Sequence, residues 1–137
     1  MADEHPSVRL VRGYIEASQR ARASGSAPDF AAVRRYLADH VVTRMASPWT
    51  DEPWQVKQQG ADAMIERLRA PINAATSLTT ENVNVQMAGD DVLVEQLFTI
   101  VDGNGRHVTM ICHIFSVVDG AITGIRAYRN DLGLPLG

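Results

Sequence analysis

The chain has 137 residues, of which 45% are hydrophobic and 21% charged, a composition that suits one globular domain and excludes an intrinsically disordered segment. Its formal net charge of -3 gives no basic surface for nucleic acid or an anionic membrane, and no apolar run approaches the ~20 residues of a membrane span. Cys112 is the one cysteine, which excludes an internal disulfide and favours a reducing compartment. The polar N-terminus lacks the apolar core of a signal peptide, so we expect a cytoplasmic protein.

The first two predicted elements are helices. Ser7 can cap a helix after Pro6, and that helix should end near Gly25, within a run of serine, glycine and proline. Asp29 can cap a second, shorter helix. At helical spacing each buries one face, formed by Val8, Val11, Tyr14, Ile15 and Ser18 in the first and by Phe30, Val33 and Leu37 in the second. We interpret the arginines of this region as a solvated helix face rather than a phosphate site: Arg20, Arg22, Arg34 and Arg35.

A short strand over residues 40–45 and a loop over residues 47–54 are predicted next. The loop contains two prolines and both tryptophans of the chain, Trp49 and Trp54. Large apolar rings in a loop need a surface to pack on, so these two form either a lid over an aromatic ligand or a structural plug. A third helix follows from Gly60 to about Ala70, with its apolar residues on one side.

The second half of the sequence switches to strands. Turn residues at 88–91, 102–105 and 119–120 separate four β-rich runs, over residues 81–87, 92–101, 107–118 and 121–128. Short turns between successive strands predict an antiparallel meander, and helices that precede a meander are typical of the α+β class.

The third of these runs is apolar on both faces. One face carries Val108, Met110, Cys112 and Ile114, and the other Thr109, Ile111, His113 and Phe115. The helices can cover only one face of the sheet, so the other needs a second cover. We therefore predict a homodimer through the sheet, with Arg126 and Tyr128 at its interface.

The order of elements and the last hairpin, which contains Asp-Gly-x-Ile-x-x-x-Arg-x-Tyr over residues 119–128, resemble the NTF2-like superfamily. Within it, the sequence is similar to the SnoaL-like polyketide cyclases and the limonene-epoxide-hydrolase-like proteins. The resemblance implies a single domain over residues 1–137. It also implies a cystatin-like α+β barrel in which a cone-like curved sheet, antiparallel or mixed, wraps around the N-terminal helices and encloses an apolar pocket.

The catalytic residues of those relatives do not carry over. The resemblance aligns Ala127 with an aspartate on the last strand, and Gln96 and Phe98 with an arginine and a second aspartate. The tyrosine and asparagine that hold the attacking water in epoxide hydrolases fall near residues 43–45, which are Thr-Arg-Met. Without a carboxylate base that mechanism cannot activate water, so we do not expect epoxide hydrolysis by that triad. Asp51, in the loop, is a reserve candidate for the missing catalytic carboxylate.

If the strand phase follows the family, the pocket side of the sheet carries seven residues: Gln96, Phe98, Thr109, Ile111, His113, Ile125 and Ala127. His113 can serve there as a general base or acid, or it is a core histidine bonded to Gln96 or to the backbone. Tyr14 can donate a hydrogen bond to a carbonyl or enolate oxygen, or it packs with its hydroxyl at the rim. The four histidines show no metal-ligand spacing, so we predict no metal, and no cofactor.

Two functions from different classes fit this pattern. The first is a cofactor-free acid–base enzyme, a cyclase, isomerase or dehydratase that acts on a hydrophobic polyketide- or terpenoid-like substrate, with His113 as base and Tyr14 and Gln96 as donors. The second is a ligand-binding or accessory protein of a biosynthetic pathway that keeps the pocket without the catalytic carboxylates. A pure protein-interaction module has less support, because the pocket positions are open and apolar.

Overall fold

The computed structural model describes residues 4–46, 54–70 and 77–129, which form three helices and six strands. The helices are α1 (Pro6–Ser24), α2 (Ala27–Arg34) and α3 (Ala61–Arg69). The strands are β1 (Leu37–Ala46), β2 (Trp54–Gln59), β3 (Ser77–Ala88), β4 (Asp91–Asp102), β5 (Gly105–Val118) and β6 (Ala121–Arg129). No helix of these ranges has the length and apolar character needed to cross a bilayer.

The ends of the first two helices differ in detail from the sequence prediction. Ser7 does not cap α1, because it already lies in the first turn and its backbone N–H donates to Nδ1 of His5 at 3.1 Å. Asp29 likewise lies inside α2, where its N–H donates to the hydroxyl of Ser26 at 3.3 Å. The predicted stop at Gly25 is confirmed: its φ of 66° is the left-handed conformation that ends a helix.

The strands form one mixed sheet in the order β2-β1-β6-β5-β4-β3. The predicted meander is confirmed, since β3 to β6 pair antiparallel in sequence order, while β1 lies parallel to β6. β1 is longer than predicted, and β2 begins at Trp54, where the sequence had indicated a loop. Register shifts interrupt four ladders, and bulges such as the one at Val83 of β3 strengthen the twist and curvature of the sheet.

The helices pack against one face of this sheet. Their contact with β4, β5 and β6 makes the core, in which Val11 and Val33 of the helices and Val92, Val94 and Ile122 of the strands are fully buried. The opposite face, which we call the outer face, has no helix of the described ranges over it. Val108 and Tyr128 there remain 44% and 41% exposed.

Candidate functional site

A cavity of about 1240 Å³ lies beside the core, between α1, α3 and the inner face of the sheet. Six of the seven residues predicted for the pocket side line it, and we call this set the cavity floor: Gln96, Phe98, Ile111, His113, Ile125 and Ala127. Thr109 shares their face of β5 and is 7% exposed, but it does not line the cavity. The floor is mostly apolar with few polar groups, the usual makeup of a small-molecule site.

Strand pairing explains why these residues meet. Val94 pairs with His113 and Gln96 with Ile111 between β4 and β5, and His113 pairs with Ala127 of β6. Side chains alternate between the two faces along a strand, so residues two positions apart project to the same face. The side chains of Gln96, Ile111 and His113 therefore all point to the inner face. The side chain that lies beside His113 on β6 is therefore only the methyl group of Ala127.

A chain of hydrogen bonds, which we call the relay, holds the imidazole of His113. Nδ1 of His113 lies 3.0 Å from Oε1 of Gln96, and Nε2 of Gln96 donates to Oδ1 of Asn82 at 3.0 Å. Because the Gln96 amide donates through its nitrogen to Asn82, its oxygen accepts from His113. This arrangement of the amides assigns a hydrogen to Nδ1 of His113, and in the singly protonated ring the lone pair then lies on Nε2.

Aromatic rings surround the histidine. Phe98 and Phe115 lie with their ring centroids 6.3 and 6.0 Å from the imidazole, and Phe115 also makes an edge contact with Tyr14 of α1 at 5.8 Å. Tyr14 is 7% exposed and lines the cavity. Burial raises the pKa of its phenol, against smaller opposing effects of Ser18 and the Arg22 guanidinium. The hydroxyl is therefore protonated at neutral pH and has a hydrogen to donate.

Trp54 does not lie over this cavity. Its ring packs edge-on against Tyr128, with the centroids 5.1 Å apart. Tyr128 follows Ala127 on β6 and therefore points to the outer face. Lys57 forms a bulge in β2 and has no pairing partner between Thr43 and Arg44 of β1. The bulge shifts the inward–outward alternation of β2 by one residue, so Trp54 also points to the outer face. Trp49 and Asp51 lie outside the described residues.

Two further polar residues matter for the site: Asn82, which the sequence analysis did not name, and Thr43, which it named only within the segment 43–45. Asn82 ends the relay, and Thr43 of β1 lines the cavity beside Ile125. The Oγ1 of Thr43 is buried and has no hydrogen-bond partner among the described residues. A buried hydroxyl without a partner costs free energy, because it has lost its hydrogen bonds to water.

No carboxylate of the described residues lines the cavity. Gln96, Phe98 and Ala127, the positions where the resemblance places an arginine and two aspartates, all lie on the floor. The polar groups that line the described cavity are therefore an imidazole, a phenol, amides, hydroxyls and the cationic side chains of Arg22, Lys57, Arg67 and Arg69.

Comparisons with known proteins agree with this geometry. A family model described as the SnoaL-like domain matches residues 11–125, and no curated protein sequence matches. The chain is similar in structure to an LEH-like epoxide hydrolase from M. tuberculosis, with a TM-score of 0.66, 22% identity, and coverage of 96% of this chain and 89% of that one.

Two other solved structures are similar over most of their length. An NTF2-like protein of unknown function from Burkholderia pseudomallei K96243 has a TM-score of 0.71 at 18% identity, covering 93% of this chain and 92% of that one. An uncharacterised cystatin-fold protein from Novosphingobium aromaticivorans has a TM-score of 0.68 at 15% identity, covering 90% and 98%. At these identities the likeness shows the fold alone, and it confirms the predicted NTF2-like, cystatin-like architecture.

Proposed function

The chain belongs to the SnoaL-like domain family, and we propose that it is a cofactor-free enzyme that carries out acid–base chemistry on a hydrophobic, polyketide- or terpenoid-like substrate. Aldol-type cyclisation, isomerisation of an unsaturated ketone and dehydration of a β-hydroxy ketone all begin with removal of a proton next to a carbonyl group. The observation that supports this proposal is the relay, because it gives the one histidine of the cavity floor a fixed tautomer and orientation.

Each residue of the site then has a defined task. Nε2 of His113 takes the proton from carbon, the electron pair moves to the carbonyl oxygen, and the hydroxyl of Tyr14 donates to the resulting enolate. Gln96, which the sequence suggested as a second donor, already donates to Asn82 and acts as a positioning residue. Phe98 and Phe115 exclude water from one side of the imidazole.

The second candidate is a binding or accessory protein that holds a reactive intermediate without changing it. The lack of a carboxylate among the described cavity residues favours it, because the family's acid–base groups are replaced by Gln96, Phe98 and Ala127. Both candidate functions use the same cavity, so a binding measurement cannot distinguish them. A measurement of proton removal from a bound ketone can.

Deuterium exchange tests the catalytic proposal without knowledge of the natural substrate. Incubated in D2O with 2-tetralone, a small bicyclic ketone with acidic α-protons, the wild-type protein should accelerate α-deuteration followed by NMR. His113→Ala should lower this acceleration about a hundredfold or more, as expected for loss of a general base. His107→Ala is the matched control, because His107 lies on the same strand but pairs with Asp102 away from the cavity. Exchange at the background rate in the wild type, or equal rates in wild type and His113→Ala, would exclude the proposed base.

We also propose that two copies pair through the outer face and that the protein works in the cytoplasm. The described outer face presents apolar side chains with no helix above them, among them Leu97, Met110, Ile114 and Tyr128. Light scattering should give twice the chain mass of 15.0 kDa. Met110→Glu should give monomers, whereas Val83→Glu, at an exposed bulge of the edge strand β3, should leave the mass unchanged. A monomer mass for the wild type would contradict the pairing.

A further inference from the structure

The cavity contains the only lysine of the chain. Lys57 lines it, whereas the other residues among the 13 lysines and arginines of the sequence are all arginines. The distinction matters chemically, because a guanidinium keeps its charge in proteins and a lysine amine can lose its proton. A neutral primary amine is the nucleophile with which proteins form Schiff bases with carbonyl compounds. Lys57 is therefore the one side chain of this sequence that can supply such an amine.

A β-bulge directs Lys57 into the cavity. Gln58 pairs with Thr43 and Val56 with Arg44, so Lys57 has no partner on β1 between these two pairs. Regular alternation would place Lys57 and Gln58 on opposite faces of β2, but both of them line the cavity. Bulges are frequent next to active sites, where they re-aim a side chain. In β2 the side chain that the bulge re-aims is the amine.

The amine of Lys57 is accessible to a ligand. The side chain is exposed and also lines the cavity, so Lys57 lies at the opening. It takes part in no ion pair or hydrogen bond with another residue of the described ranges. A neighbouring carboxylate would hold an amine in its charged form, and none of the described carboxylates lines the cavity.

An apolar surface extends from Lys57 towards the imidazole of His113. Met45 of β1 lies beside Ala127 of β6, which in turn lies beside His113 of β5, and all three line the cavity. Since β2, β1, β6 and β5 are neighbours in this order, three strand spacings separate Lys57 from His113, about 14 Å along the sheet. A ligand held at the opening can therefore lay an apolar body across Met45 and Ala127.

We propose that Lys57 holds an aldehyde or a ketone in the cavity as a reversible imine. Nζ adds to the carbonyl carbon, the two hydrogens of the amine pass to the carbonyl oxygen, that oxygen leaves as water, and a C=N bond remains. The apolar body of the ligand lies on the cavity floor. This inference rests on the proposed function in one respect, that the cavity is the ligand site. It holds for the catalytic and the binding candidate alike, since an imine also retains a reactive intermediate.

Reductive trapping tests the imine site, because only the terminal α-amine competes with the one lysine of the chain. Sodium cyanoborohydride converts an imine into a stable secondary amine, which mass spectrometry of proteolytic peptides locates. 2-Naphthaldehyde has an apolar body for the cavity floor, whereas acetaldehyde has none. The initial labelling rate of Lys57 relative to the α-amine should be about tenfold or more higher with 2-naphthaldehyde than with acetaldehyde, because burial of the rings favours the cavity. 2-Naphthylmethanol, which has the rings but no carbonyl group, should compete and lower this ratio.

Variants locate the effect. Lys57→Arg keeps the positive charge and removes the amine, so only the α-amine should be labelled, and thermal unfolding shows that the variant is folded. Arg20→Lys in the Lys57→Arg protein is the matched control, because Arg20 is exposed on α1 and does not line the cavity. The lysine introduced there should show no preference for 2-naphthaldehyde over acetaldehyde.

The outcomes separate this inference from the enzymatic proposal. Equal ratios for the two aldehydes, a ratio that saturating 2-naphthylmethanol does not lower, or the same preference at the lysine of the control variant would overturn the imine site. A preference confined to Lys57, together with 2-tetralone exchange that His113→Ala does not alter, would support the imine site and reject the proposed base. Exchange that depends on His113, without preferential labelling of Lys57, would support the base and reject the imine site.

Discussion

Replacing Gln96 by leucine removes the centre of the relay while nearly keeping the side-chain volume. Gln96 is 5% exposed and links His113 to Asn82 through two contacts of 3.0 Å. Leucine leaves Nδ1–H of His113 and Oδ1 of Asn82 without this partner, and a fully buried orphaned group costs about 1–3 kcal/mol. Both neighbours are only half-buried, so water offsets part of the loss, and we expect about 2 kcal/mol in the free energy of unfolding.

For a domain of this length that loss lowers Tm by about 8 °C. Thermal and urea unfolding measure it, and Gln86→Leu is the control, because Gln86 lies exposed on the neighbouring strand and should change stability by less than about 0.5 kcal/mol. The same Gln96→Leu protein should also deuterate 2-tetralone at least about tenfold more slowly, since its imidazole is no longer held in one orientation. A Tm and an exchange rate equal to those of the wild type would show that the relay neither stabilises the fold nor positions the base.

Two further predictions concern positions outside the cavity. Gly25→Ala should lower the free energy of unfolding in urea by about 1–2 kcal/mol, because a Cβ is disfavoured at a φ of 66° although no neighbouring atom lies in its way. Gly25→Asn should lower it less, since asparagine tolerates this conformation better. Equal stability of all three proteins would contradict this backbone argument. Burial raises the pKa of the Cys112 thiol, helped by the nearby Glu95. Less thiolate is then present at any pH below that pKa, so iodoacetamide should modify Cys112 more slowly at pH 7.5 than it modifies N-acetylcysteine, and the rate should rise at higher pH; mass spectrometry follows both, and a rate equal to the free thiol would refute the shift.

The fold could be predicted because its signals are local. Glycine and aspartate at the hairpin turns, and the alternation along β4 and β5, fix which segments are strands and which are neighbours. The sequence analysis did not predict the strand β2, because two prolines precede Trp54 and because the residues after it show no apolar alternation. Its bulge then reverses the direction of the side chains, which explains why the expected lid position of Trp54 differs from its place on the outer face.

The cavity could be predicted only in part, because only some of its contacts follow from local sequence patterns. Period-two alternation places His113 and Gln96 on one face as soon as the strands are assigned, so their contact follows from the sequence pattern. Asn82 lies opposite Gln96 because a bulge at Val83 shifts the pairing of β3 and β4 by one residue. No pattern in the sequence predicts that bulge. Arg22 becomes a cavity residue only when α1 packs across the sheet, and helical spacing alone cannot distinguish that from a solvated position.

The choice of base determines how charge develops in the cavity. A carboxylate base becomes neutral when it takes up the proton, whereas a neutral imidazole becomes a cation next to the new enolate, so His113 stabilises the negative charge that it helps to create. Ala127 pairs with His113 on the neighbouring strand, and the resemblance places a carboxylate at this position. Ala127→Asp should therefore add a negative charge close to the enolate and slow the deuteration of 2-tetralone more than Ala127→Asn, which has nearly the same size without the charge. Equal rates for the two variants would mean that only the size of the side chain at 127 matters.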